Sequence, residues 1–257
     1  MTLQIFFCVL LAFIWMAGWL IIAGAVALAE EQKNMSPGMA TGMENAFPVP
    51  FRALQFQNVI RFEESNRGDK IYRVEPELRW GLARSGFLSV RSQLAFGPGV
   101  SRDSGNLRVQ GFYNTSRETS ALPATALVLG TTLPTGHDSA GVDGLIRGIL
   151  TKSAGVAQFI LNAELDKIGA AQPAERDFRY RFGMGADFGA GSLVRTGLLV
   201  EQSESRGEVP LWRMQAGLFH HFTPTIAIAL GAEVGLSSSA PAYQIILGYQ
   251  HTFEGFR

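Results

Sequence analysis

Phe178-Arg179-Tyr180-Arg181-Phe182-Gly183-Met184-Gly185-Ala186-Asp187-Phe188 alternates without a break. The even positions are apolar: Phe178, Tyr180, Phe182, Met184, Ala186 and Phe188. The odd ones, Arg179, Arg181, Gly183, Gly185 and Asp187, are polar or minimal. Successive side chains of a strand point to opposite faces, so this segment is a strand with one apolar and one charged face. Wound as a helix, it would put arginine and phenylalanine on the same side.

The pattern recurs in both directions. In 70–82, Tyr72, Val74, Pro76, Leu78, Trp80 and Leu82 oppose Arg73, Glu75, Glu77 and Arg79. Leu54, Phe56, Ile60 and Phe62 oppose Gln55, Gln57, Arg61 and Glu63, and Leu88, Val90, Leu94 and Phe96 oppose Arg91 and Gln93. Further runs start at Ala157, Trp212, Ile226 and Tyr243, where Gln158, Asn162, Glu164, Arg213, Gln215, Glu233 and Gln244 take the polar side. Weaker alternation covers 106–115, 124–133, 144–152 and 193–202.

About twelve strands result, most near ten residues long, where soluble strands average about 5–6 and a tilted membrane-spanning strand needs about 9–11. The expected fold is therefore all-β: an antiparallel transmembrane β-barrel of about twelve strands over 51–257, apolar toward lipid and polar toward the lumen. A soluble sandwich has the same alternation, but shorter strands. The connections alternate too. Those near Ala83–Gly86, Ser153–Gly155, Ala190–Ser192 and Thr223–Thr225 are short, with Arg117–Pro123 the exception. Those near Ser65–Asp69, Gly97–Gly105, Pro134–Gly141, Lys167–Asp177, Ser203–Pro210 and Ser237–Ala242 are longer. Short periplasmic turns and long extracellular loops have this asymmetry.

Ahead of the alternation lies a different text. Ile5 to Ala29 is almost wholly apolar and ends abruptly at Glu30. Ala27-Leu28-Ala29 places small residues where a signal peptidase reads them, so 1–29 is expected to be a signal peptide cleaved between Ala29 and Glu30. The missing Lys or Arg before the run, and a length sufficient for a spanning helix, leave a retained anchor as the competing reading. Residues 30–50 carry Met, Gly, Pro and Asn without a period and are expected to form a flexible segment.

The chain has 257 residues, with 22 Lys and Arg against 22 Asp and Glu, so charge gives no sign of a nucleic-acid partner. Cys8 is the single cysteine, which leaves no disulfide framework or thiolate metal site. His220 and His221 are adjacent and face opposite ways on a strand, so they cannot share an ion. No nucleophile–base spacing stands out, and neither a cofactor, a metal nor a catalytic residue is expected.

The candidate functional residues are those that parity turns inward. They are Arg73, Glu75, Glu77, Arg79, Arg91, Arg108, Glu164, Arg179, Arg181, Asp187, Arg213 and Glu233, with Arg61, Glu63, Arg147, Arg195 and Glu201 on the same faces. Such residues either select small anionic solutes or fill the interior with cross-strand ion pairs. The near balance of signs favours the ion pairs.

One stretch resembles a known family. Gly111-Phe112-Tyr113-Asn114, then Leu122-Pro123-Ala124-Thr125-Ala126-Leu127-Val128-Leu129, Leu133-Pro134-Thr135-Gly136 and a glycine-rich run to Thr151-Lys152-Ser153, is similar to the bacterial family named after the meta-pathway of phenol degradation. The ending Leu247-Gly248-Tyr249-Gln250-His251-Thr252-Phe253 resembles it as well. The resemblance implies an exported outer-membrane barrel that passes small solutes, hydrophobic or aromatic ones among them, with membrane lipid as its other partner. It brings no catalytic residues. A plugged structural or adaptor barrel, and an outer-membrane lipid-modifying enzyme, are the rival readings.

Overall fold

The computed structural model describes residues 39–98, 104–189 and 192–253. The segments are β1 (Leu54–Glu64), β2 (Lys70–Ala83), β3 (Gly86–Ser92), β4 (Leu94–Phe96), β5 (Leu107–Ser116), β6 (Ala124–Leu133) and β7 (Asp143–Ala154). They continue as β8 (Ala157–Lys167), β9 (Phe178–Phe188), β10 (Ser192–Glu201), β11 (Leu211–Thr223), β12 (Ile226–Gly235) and β13 (Tyr243–Phe253). β3 and β4 both pair with β2 and are two pieces of one stave, interrupted at Gln93. Each stave runs antiparallel to the next, and β13 returns to β1 from Leu54↔Phe253 to Glu64↔Tyr243. The result is a closed barrel of twelve staves with no free edge, which removes the unpaired backbone groups a membrane would penalise. No helix among the described residues is long and apolar enough to cross a membrane.

Parity decides which face each side chain takes. Trp80, Leu78, Phe159, Leu161, Phe182, Met184, Leu230 and Leu247 all stand exposed on the outer wall. An apolar belt this continuous suits hydrocarbon rather than water. Short connections join staves at one end. In the link from Ala154 to Ala157, Gly155 takes a φ of 60°, a conformation that a side chain disfavours. Longer loops gather at the other end and brace one another, as where the Arg206 guanidinium meets Asp177 at 2.9 Å.

The segment before β1 departs from expectation. The sequence reading makes 30–50 flexible, and of these 39–50 are described. Met39, Ala40, Thr41, Met43, Asn45, Ala46 and Val49 are buried inside the barrel. The segment lacks a period because no ladder partner holds it; side chains of the inner wall supply its hydrogen bonds instead. It runs as an internal belt around the wall, touching the staves in reverse order. Ala40 lies against Gly231 and Gly217, and Gly42 N–H donates to Gln215 Oε1 at 3.1 Å. Met43 fills the space left by Gly183, Gly185 and Gly197. Glu44 N–H donates to Asn162 Oδ1 at 2.7 Å, and Asn162 Nδ2 donates back to the Glu44 carbonyl at 2.6 Å. Ala46 N–H then meets Thr151 Oγ1 at 2.9 Å, and its carbonyl accepts from Asn114 Nδ2 at 2.7 Å.

Two apolar clusters seat the belt. One joins Ala46 and Val49 to Phe87, Phe112, Val128, Leu145 and Ile149 of the wall. The Phe87 and Phe112 rings stack with centroids 4.6 Å apart. The other joins Met39 and Ala40 to Val59, Phe219, Ala227, Ala229 and Ile246. The belt turns into β1 at Arg52, whose φ of 66° is left-handed, with its N–H held by the Gly81 carbonyl at 2.8 Å. Ala29 and Glu30, the expected cleavage pair, lie outside the described residues.

Candidate functional site: the charged lumen

Closing twelve alternating staves brings inward charges from distant parts of the chain to one level. A chain of alternating sign runs around most of the inner wall. Arg91 on β3 meets Glu75 on β2 at 2.9 Å, and Glu75 meets Arg61 on β1 at 3.2 Å. Arg61 reaches Glu233 on β12 at 3.7 Å, and Glu233 lies 3.5 Å from Arg213 on β11. Arg213 meets Glu201 on β10 at 2.6 Å, and Glu201 meets Arg181 on β9 at 2.8 Å. Arg181 lies 3.5 Å from Glu164 on β8, and Glu164 pairs with Arg147 on β7. The contacts at 3.5 Å lack hydrogen-bond geometry at Glu164 Oε1 and Glu233 Oε2, so they act through charge alone.

Each glutamate of the chain touches two arginines. That arrangement offsets the desolvation that a lone carboxylate would suffer inside the barrel. The arginines differ in openness: the Arg91 and Arg181 side chains keep 33% of their surface, against 11% for Arg61. Water therefore reaches part of the ring.

The other candidates sit elsewhere on the inner wall. Arg73 pairs with Glu63 beside the ring, and Gln244 Nε2 donates to the same Glu63 carboxylate at 3.1 Å. Arg179 pairs with Glu204 of a long loop at 2.5 Å, at the mouth. Glu77, Arg79 and Asp187 lie deeper and serve the belt. Arg79 is held between Glu77 at 2.9 Å and Glu44 at 3.1 Å, and Glu44 also pairs with Arg147. Asp187 grips Arg195 through two contacts, at 2.5 and 2.7 Å. Arg195 is fully buried, donates to the Met43 carbonyl at 2.9 Å and lies over the Phe219 ring at 5.3 Å. Arg108 stands apart: its Nε donates to Thr132 Oγ1 at 3.0 Å.

The belt and its Glu44 escaped the parity reading. Glu44 belongs to a segment without a period, so nothing in the sequence linked it to Arg79 and Arg147. The inward glycines, Gly183, Gly185, Gly197, Gly217, Gly231 and Gly248, were the one available signal: a row of absent side chains on a polar face leaves room for something. His220 and His221 do face opposite sides, with His220 exposed and bonded to Ser192 Oγ at 2.8 Å.

No protein-family profile and no curated protein matches the sequence. Solved structures do resemble the barrel. An outer membrane channel from Pseudomonas putida F1 aligns with a TM-score of 0.65 and 14% identity, over 81% of this chain and 98% of that one. The NanC porin aligns at 0.56 and 11% identity, over 77% and 98%. The KdgM porin aligns at 0.53 and 12%, over 79% and 99%. At such identities the likeness is one of fold: this chain is a twelve-staved barrel of the kind outer membrane channels and porins use.

Proposed function

We propose that the chain is an outer-membrane barrel through which small solutes pass passively. One observation carries the reading: the wall is apolar outside and lined inside by a partly hydrated ring of charge. A soluble protein has no use for that inversion, and a channel has. The similarity in fold to outer membrane channels supports it. The inward residues found by parity are the lumen lining, and the resemblance to the phenol-degradation family makes hydrophobic or aromatic solutes the class to try first. Export through a leader cleaved before Glu30 belongs to the same reading.

The belt favours a second reading, a barrel kept closed for a structural task. Residues 39–49 occupy lumen that a wide pore would leave free. Planar-bilayer recording separates the two. A channel gives discrete conductance steps from correctly folded protein, larger still when 39–49 are deleted. A closed barrel gives none with the belt present.

A further inference from the structure

Along the wall the alternating ring is incomplete, and the wall side chains that flank the gap are both arginines, Arg147 being held in addition by Glu44 of the belt. From Arg91 on β3 the chain of pairs runs the long way round to Arg147 on β7. Between them lie only β5 and β6, and these present Arg108 and Thr132. Arg108 is the direct cross-strand partner of Arg91, so two like charges stand side by side where the rest of the ring interposes a glutamate. Among the described residues no carboxylate lies within ion-pair distance of Arg108, whose one hydrogen bond goes to the Thr132 hydroxyl. Of the nearby acids, Glu164 is shared by Arg147 and Arg181, Asp143 accepts from the Gly169 N–H at 2.9 Å, and Asp166, with no ion pair of its own among the described residues, acts on Arg108 only as a more distant charge.

We infer that this break in the ring, centred on Arg91 and Arg108, is a binding site for the carboxylate group of a small solute. The ring itself defines the ligand: at every other junction a carboxylate bridges two guanidinium groups. A solute carboxylate between Arg91 and Arg108 completes the alternation and relieves the like-charge pair. Both arginines are only partly buried, so the site is open to water. The inference deepens the transport reading by naming a solute class, and rests on it only for passage, not for binding.

The probe is acetate. Saturation-transfer NMR of the detergent-folded barrel reads binding, and reversal potentials in asymmetric potassium acetate read selectivity. Arg108→Gln removes the charge; Thr132→Asp leaves it and supplies the missing acid in register. Both are expected to weaken acetate binding by about tenfold or more and to shift selectivity toward potassium, while Arg108→Lys keeps anion preference. Unchanged acetate binding in either substituted barrel, with its heat-modifiable gel mobility intact, overturns the site. Acetate binding that both variants abolish, in a barrel without conductance, upholds the site and sinks the transport reading. Conductance with variant-insensitive selectivity does the reverse.

Discussion

A Cβ added to Gly231 would stand 2.0 Å from the carbonyl oxygen of Ala40. The contact is backbone on backbone, so no side chain can swing away to relieve it. Gly231→Val is therefore expected to push the belt off the wall, with a strain of about 1–3 kcal/mol before displacement. Limited proteolysis within 39–49 should become faster than in the parent barrel. Gly111, whose Cβ would meet nothing within 4 Å, is the control: Gly111→Ala should leave proteolysis unchanged.

Arg195 is the largest fully buried side chain, and Asp187 is its only carboxylate partner among the described residues. Arg195→Met strands that carboxylate and breaks the bond to the Met43 carbonyl. The expected loss is about 3–5 kcal/mol, as for other buried pairs broken from one side. Urea-induced loss of heat-modifiable mobility measures it. Arg195→Met together with Asp187→Leu should recover a good part.

Phe182 and Arg181 are neighbours in sequence and opposites in space. Phe182 is exposed on the outer wall, so Phe182→Arg is expected to cost about 2–4 kcal/mol if it sits near the midplane. Parity makes Arg181→Gln the milder change unless Arg181 has a buried acidic partner, and Arg181 serves two, Glu201 and Glu164. Arg181→Gln should lower stability measurably in the same urea titration. Equal folding of Phe182→Arg and the parent would overturn the assigned lipid face.

Mass spectrometry of membrane-derived protein is expected to find a chain beginning at Glu30. An intact Met1 would instead identify the apolar run as an anchor.

The wall was legible because strand parity is a local property. Trp80, Phe182 and Leu230 declare their side within a few residues, and hydrocarbon outside enforces the choice along whole staves. The interior was legible only as a list of inward charges. Which arginine meets which glutamate depends on register across the closed barrel, and Arg61 with Glu233 is joined by no local pattern. Phe87, Phe112 and Phe219 show the limit differently: these rings point inward, where parity leads one to expect polar groups, because the belt gives them an apolar partner. Arg79 with Glu44 was invisible for the same reason.

The order in which the belt meets the wall bears on assembly. Met39 packs against Gly248 of β13, the last stave, while Pro50 lies against Gly81 of β2, one of the first. As the chain folds, the beginning of the belt must therefore wait for the end of the chain. Contacts so remote in sequence form late, after loop-closure entropy has been met. The seam between β1 and β13 is where they come due, since sealing it encloses whatever stands inside. A belt still outside at that moment would have to enter through an end of a finished cylinder. Insertion of the N-terminal segment is therefore expected to be coupled to closure of the seam, and the rate of barrel maturation to respond to substitutions in a segment that contributes no stave.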